Sequence, residues 1–466
     1  MAGKGIEILS RMGHVLPEVR KPLRKVPFGE KVFWTGLVVI LFLVMSQIPL
    51  YGVSTSALDP FGAIRVIFAS SQGTLMELGI GPIVTAGLIL QLLIGSKIIK
   101  LDLSKPSDRS KFTSVNKVLA LVFTGAEAGA FLISGYYQVT NLTHMIYIFV
   151  QLLAVGLMVI LMDELVQKGW GIGSGISLFI AAGVSQQIFW SCFAPVPAPD
   201  GLFAGALIAF PQAILQNNAL AAVFRPGALP SMIAFIATAL IFIIIVYCEG
   251  LRVELPISHA KYRGYTGSYP VKLFYVSNIP VILAAALAAD VFFASSMVFS
   301  RTTEGLLVDF LGRFNAEGVP ISGLVYYLTP PRGVEALYAD PLRAGIYTGI
   351  FVGLCTAFAK TWVEIGGLSS KRVAKQLIDA GMQVSGFRRS ERSLEEILNR
   401  YIPVVTIIGG ASVGLIAAVA DFFSAFGSGV GILLTTSILW QYYQLLAKER
   451  IDEMYPGIGK IMGRES

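Results

Sequence analysis

Charge is what this sequence has least of. Only 14% of its 466 residues are charged, against 55% hydrophobic, whereas soluble domains carry about 25% charged residues. The mean hydropathy is +0.70. A soluble chain of this length folds as two or three domains, each with a polar shell. With 36 basic and 29 acidic side chains, this chain is too poor in charge to build those shells. The composition predicts an integral membrane protein and excludes the ordinary soluble enzyme classes.

Cysteine and histidine are equally sparse, at three each. Cys192, Cys248 and Cys355 lie in or beside apolar stretches. An odd number cannot complete a set of disulfides, so they read as small apolar packers. His14, His144 and His259 are far apart and show no metal-ligand spacing. Neither a GxxxxGK[ST] phosphate loop nor HExxH occurs. No cofactor, no metal and no chemistry of the chain's own are expected.

Long apolar runs are what is there. Ten stretches approach the roughly 20 residues that cross a bilayer core. They run near 32–50, 75–95, 116–137, 145–162, 172–190, 230–248, 274–297, 342–363, 401–422 and 428–447. With ten spans, 30 of the 36 basic residues fall on the side of both termini and 6 on the other. The positive-inside rule then places both termini in the cytoplasm. No cleavable signal peptide is expected, because the first apolar stretch is long and follows a basic tail of about 31 residues. Within that tail, Ile6, Leu9, Val15 and Leu16 among Lys4, Arg11 and Arg20 suggest a short amphipathic helix on the membrane surface. Asn141-Leu142-Thr143 fits a glycosylation acceptor, but lies so close to two helices that chance explains it better.

Ten spans divide into two fives, and an odd number makes the second five cross in the opposite sense. The second span of one half begins Gly79-Ile80-Gly81-Pro82, its counterpart Asn278-Ile279-Pro280. The fifth spans open Gly171-Ile172-Gly173-Ser174-Gly175-Ile176 and Gly427-Ser428-Gly429-Val430-Gly431-Ile432. Matching Gly and Pro interruptions point to a central pathway, against the plainer reading that small residues let helices pack closely. Ile80 and Val84 share a helix face, as do Ile176 and Ile180, and Ile282 and Leu434 occupy similar places. Such a lining is apolar. It holds back ions by dewetting and makes no directional bonds to what passes. Of the acids, Glu127 and Asp290 are intramembrane candidates, while Asp163, Glu164 and Asp421 read as interfacial charges in contact with water.

Two segments break the pattern. Residues 54–74 hold Pro60, Gly62 and Gly73 around a short apolar run, Phe61 to Phe68. That run is too short to span and predicts a re-entrant segment buried against protein. The loop of about 37 residues between the eighth and ninth spans carries Lys371, Arg372, Lys375, Arg388, Arg389 and Arg392. Its length favours a docking surface for a phosphate-rich partner such as RNA, though anionic lipid headgroups account for several such charges.

Leu78–Gly87, Gly171–Gly183 and Tyr269–Pro280 are long motifs. In them the chain resembles the SecY family, the channel subunit of the Sec protein-translocation complex, in its archaeal and eukaryotic branch. The resemblance covers essentially the whole chain. It implies an all-α polytopic fold of ten helices, two inverted five-helix halves around an hourglass pore. The pore ring would be Ile80, Val84, Ile176, Ile180, Ile282 and Leu434. A plug near Ala57–Ser70 would include Ala57, Phe61, Ala63, Ile64 and Ile67. Thr85, Glu127 and Asn278 match the polar cluster of a lateral gate that releases apolar passengers into lipid. Arg252, Lys261, Arg263, Arg388 and Arg389 match the docking surface for a translating ribosome. Ser385–Ser390 lacks the proline-containing turn of bacterial relatives, which weighs against a bacterial-type motor more than against ribosome docking.

The resulting expectation is a passive protein-conducting channel in a prokaryotic, archaeal cell membrane. Its partners would be two small single-span Sec subunits (SecE/gamma-type and beta-type), the ribosome, signal sequences, nascent polypeptides and membrane lipids. The expected segments are the amphipathic tail 1–31, the first half 32–190, an outer connection 191–229, the second half 230–447 with loops 249–273 and 364–400, and the tail 448–466. The outer loop 298–342 receives no role. A secondary solute transporter with inverted repeats is the main rival, and the apolar ring argues against it. An intramembrane enzyme is the other, and Glu127 with Asp290 makes an unconvincing catalytic pair.

Overall fold

The structure, a computed structural model, describes residues 2–13, 15–53, 65, 68–96, 98–99, 101, 105–133, 137, 139, 141–225, 229–259, 266–276, 278–301, 305–315, 318–379, 382–384 and 391–454. It is mostly helical. We label the principal helices α1 (Ala2–Gly13), α2 (Phe28–Met45), α3 (Gly81–Gly95), α4 (Pro106–Ile133), α5 (Leu142–Leu165), α6 (Gly175–Phe193) and α7 (Ala206–Leu215). There follow α8 (Met232–Gly250), α9 (Ile279–Arg301), α10 (Pro341–Ile365), α11 (Ser370–Asp379), α12 (Glu391–Phe422) and α13 (Gly429–Met454).

Among the described residues, eight helices are long and apolar enough to cross a membrane by length and composition: α2, α4, α5, α6, α8, α9, α10 and α12. The two further spans expected from the sequence are α3 and α13, and each misses for a physical reason. Gly79 and Pro82 delay the start of α3, leaving 15 helical residues. The first turns of α13 are enclosed by protein, with Ile432, Leu433, Leu434, Thr435, Thr436 and Ser437 all buried. A helix that faces protein instead of lipid can carry hydroxyls and need not be uniformly apolar.

Helix pairing is close where glycine allows it. A Cβ at Gly156 of α5 would stand 2.6 Å from Thr124 of α4, and one at Gly414 of α12 would stand 2.9 Å from Val352 of α10. Small residues at such crossings let backbones approach and gain van der Waals contact, the main attraction available between helices in lipid. The largest hydrophobic cluster draws on α2, α3, α6, α8, α9, α10, α12 and α13.

The basic tail forms α1, as expected, but it rests on α4 instead of standing apart. Leu9 packs with Leu90 and Val115, whereas Val15 lies beyond the helix and is exposed. Further on, Lys117 binds the Pro17 carbonyl at 2.6 Å and Glu164 at 2.7 Å, tying the tail to α4 and α5. Glu164 is therefore a buried partner, not a water-facing charge. Asn141 caps α5, its side-chain oxygen accepting from Thr143 N at 3.0 Å, so the acceptor-like triplet has a local structural use.

The connections hold structure that the helical reading left out. β1 (Arg252–His259) and β2 (Thr266–Lys272) form an antiparallel hairpin, and β5 (Met382–Val384) adds to its other edge. This small sheet joins the 6/7 and 8/9 loops into one body with α11. The alternation of Val253, Leu255 and Ile257 is its sequence signal. In loop 298–342, β3 (Arg313–Phe314) pairs with β4 (Pro320–Ser322), and the Arg343 guanidinium lies 3.9 Å over the Tyr326 ring.

The connection between α6 and α8 closes on one buried side chain. Arg225 donates to Asp200 Oδ2 at 2.8 Å and Oδ1 at 2.9 Å, and to the carbonyls of Ala204 and Pro230 at 3.1 and 3.0 Å. Hydrogen bonding from this guanidinium holds the Asp200 carboxyl below the usual carboxylate range. A depressed folded-state pKa means that the stabilisation is present above the unfolded value of about 3.9 and is lost as pH falls through the folded one. Amide exchange over residues 196–205, relative to its intrinsic rate, is therefore expected to rise below about pH 4. In Asp200→Asn it should already be fast at neutral pH, and slow neutral-pH exchange in that variant would contradict the account.

Candidate functional site

Six apolar residues singled out from the sequence come from four helices and fall in one cluster. Ile80, Ile180 and Leu434 are buried members, and Val84, Ile176 and Ile282 are partly buried against them. Local sequence explains each placement. Ile80 precedes α3, whose first turn holds Pro82, and its N–H donates to the Phe68 carbonyl at 2.8 Å. Gly79 sits at φ +55°, where a Cβ would overlap that same carbonyl. Ile282 lies in the first turn of α9, its N–H on the Asn278 carbonyl at 3.1 Å. Ile176 and Ile180 face inward from α6, and Leu434 from α13. The six thus belong to the apolar core. An ion entering it must shed water without replacement, at a cost of several kcal/mol or more.

The fifth helices of both halves are held by acids expected to face water, and this corrects the sequence reading. Asp163 and Asp421 are only 9% and 3% exposed. Asp163 Oδ1 accepts from Ile176 N at 3.0 Å, and Asp421 Oδ1 accepts from Gly429 N at 2.7 Å. Each carboxylate satisfies an N–H at the start of the next helix, where helix N-termini favour negative charge. The two helices are also joined to each other. Tyr442 of α13 donates to the Ser174 carbonyl at 2.9 Å and accepts from Ser174 N at 3.0 Å.

A polar seam runs between α3, α4 and α9. Thr85 Oγ1 donates to Asp290 at 3.1 Å and 3.3 Å. Glu127 and Asp290 line a small cavity of about 50 Å³ together with Arg65, Glu77 and Phe68. Arg65 and Glu77 form a buried ion pair at 2.6 Å. The seam thus brings Thr85 and Glu127 together with Asp290. Asn278 stands 12 residues earlier on the same chain, about 18 Å along the helix axis. Asp290 was visible in the sequence as a mid-span acid, but its partner on α3 is 205 residues away.

The proposed plug residues Ala57, Phe61, Ala63, Ile64 and Ile67 lie outside the described residues, as do Lys261, Arg263, Arg388 and Arg389. Arg252, on β1, is exposed and pairs with Glu254 at 3.0 Å. Among the described residues no cluster of His, Cys, Asp and Glu could hold a metal ion. Gly410-Ala411-Ser412-Val413-Gly414 has the letters of a GxSxG nucleophile elbow. It lies inside α12, where Ser412 Oγ donates to the Ile408 carbonyl at 2.7 Å and both glycines pack on α10. That is a helix-packing motif, not a strand-to-helix turn.

A many-helix fold with an apolar core and a buried polar seam is that of a polytopic membrane protein. Comparison identifies which. The SecY family model matches residues 74–443, and the model for the plug domain of Sec61p matches residues 40–73. The protein translocase subunit SecY of Pyrococcus furiosus is 43% identical over 472 residues, covering 98% of this chain and 99% of that one. A structure described as a protein conducting channel superposes with a TM-score of 0.84 at 38% identity, covering 96% and 99%. Sec61 in the canine ribosome-channel complex from the endoplasmic reticulum gives 0.82 at 36%, covering 96% and 99%. The chain belongs to the SecY family.

The seam yields a direct expectation. Asp290→Leu leaves Thr85 without its acceptor, a loss of about 1–3 kcal/mol for a buried polar group. If the bond exists only while α3 and α9 touch, the balance between apart and together shifts toward apart by about 5- to 150-fold. Cysteine pairs placed across α3 and α9 should then crosslink more slowly, and an unchanged rate would remove Asp290 from the seam's energetics.

Proposed function

We propose that this chain is a passive protein-conducting channel, moving secretory polypeptides across the membrane and releasing transmembrane segments sideways into lipid. The observation that supports the reading is that Ile80, Ile180 and Leu434, from distant parts of the chain, are all buried in one apolar cluster. An apolar ring suits this task because it seals against ions yet makes no directional bonds that would select among passengers. The chain acts in transport, not as an enzyme. Energy comes from outside it, since no phosphate-loop motif is present.

The remaining parts follow from family membership and position. Val84, Ile176 and Ile282 complete the ring. Ala57 to Ile67 act as the plug, and the bond from Ile80 N to the Phe68 carbonyl ties the end of that segment to the ring. Thr85, Glu127 and Asp290 form the lateral gate, where a bound signal sequence favours the open state over the plugged one. Asn278 lies lower on the same wall. Arg252, Lys261, Arg263, Arg388 and Arg389 dock the ribosome, on the face to which α11 and the small sheet belong. Two small single-span Sec subunits complete the complex. Both termini lie in the cytoplasm, the host membrane being the cell membrane.

Replacing Ile80, Ile176 and Ile282 with Gly is expected to raise ion conductance through the resting complex in planar bilayers, and unchanged conductance would remove the ring from these positions. A nascent chain stalled in the complex should crosslink to a photoreactive residue at position 176. For the plug, cysteines at Ala63 and on a partner subunit's helix should join only while a passenger is moving. Crosslinking independent of a passenger would mean that the segment does not move.

A further inference from the structure

An aspartate in the last turn of a helix is at the unfavourable end of the helix dipole. Asp421 lies in the last turn of α12, whereas Asp163 lies where α5 passes into a π-helical turn, Val166–Trp170; both are buried, so each needs a compensating partner, and in each case it is the start of the next helix. Asp163 Oδ1 takes the N–H of Ile176 at 3.0 Å, and Asp421 Oδ1 takes that of Gly429 at 2.7 Å. The second oxygen is also occupied, by Gln167 Nε2 at 2.7 Å on Asp163 and by Tyr347 OH at 3.3 Å on Asp421.

The fit requires glycine in both places. A Cβ on Gly175 would lie 2.6 Å from Asp163 Cα and 2.9 Å from its Oδ1, and one on Gly429 would overlap the Ala417 carbonyl. Five positions beyond these glycines come Ile180 and Leu434, both buried in the constriction. Five residues of helix span about 7.5 Å. Each carboxylate therefore grips its helix within one and a half turns of a ring residue. The two grips are five spans apart and so act from opposite membrane faces.

We infer that Asp163 and Asp421 are positioning residues for the seal, each fixing the height and rotation of the helix that brings Ile180 or Leu434 into the constriction. The inference rests on the ring reading above. Removal of a carboxylate frees the first turn of α6 or α13, so its ring residue no longer holds one place and ions pass at rest.

The test is resting conductance of the reconstituted complex in planar bilayers, with Ile180→Gly as reference. Asp163→Ala and Asp421→Ala are expected to leak several-fold above wild type. Asp163→Asn and Asp421→Asn keep an acceptor oxygen and should return most of the seal, a rescue that a role in bulk packing alone would not single out. If Ile180→Gly leaks while both assembled alanine variants conduct like wild type, or if the asparagine variants leak as much as alanine, the positioning role is overturned and the ring stands. If none of them leaks, the ring reading falls and takes this inference with it. Should the alanine variants fail to assemble, Gln167→Ala and Tyr347→Phe decide, since each removes only the partner of the second oxygen. Raised leak in either supports the inference, and wild-type leak in both overturns it.

Discussion

A chain that lives in hydrocarbon cannot leave a backbone N–H or C=O to water, and the architecture depends on that constraint. Helix interiors meet it by themselves, but helix ends do not. Here the ends near the constriction are closed by specific partners. Phe68 supplies a carbonyl to Ile80, Asp163 a carboxylate to Ile176, Asp421 a carboxylate to Gly429, and Tyr442 both accepts from and donates to Ser174. Glycine makes these approaches possible, because any larger residue at 79 or 175 would meet its partner's atoms, and one at 429 the Ala417 carbonyl.

That arrangement reconciles two demands on one wall. The constriction must be apolar to stop ions, and an apolar surface has little directional preference to fix its own geometry. In the proposed ring, the bonds of Asp163 and Asp421 would fix it from just outside, within a turn or two of Ile180 and Leu434. The seam of Thr85 and Asp290 uses the same kind of bond to join α3 to α9. A single hydrogen bond of this kind contributes about 1 kcal/mol net. It is small enough for a bound apolar segment to outweigh by burying its own surface.

Much of this was legible in the primary structure. Ten apolar stretches, the asymmetry of basic residues and the paired Gly-rich helix starts reflect local physics, which one segment reveals on its own. The six proposed ring positions rest on small and apolar residues that recur at matched places in the sequence. What escaped were groups whose meaning depends on distant partners. Asp163 and Asp421 looked like interfacial charges, since a helix-terminal acid normally meets water. Asp290 was noticed, but nothing in its neighbourhood named Thr85. The hairpin of β1 and β2 was overlooked although Val253, Leu255 and Ile257 alternate, because a long basic loop drew attention to charge instead of period.

The sequence by itself determined that this protein lies in a membrane, how many times its chain runs through apolar territory, and which residues are apolar enough to seal a passage. Those properties are sums over single residues and their near neighbours. Tertiary structure alone decided which acids are buried, which helix start each one holds, and that Ile80, Ile180 and Leu434 fall in one buried cluster. Such contacts join residues tens to hundreds of positions apart. Their chemistry arises only when two surfaces exclude water together, and no local pattern records that.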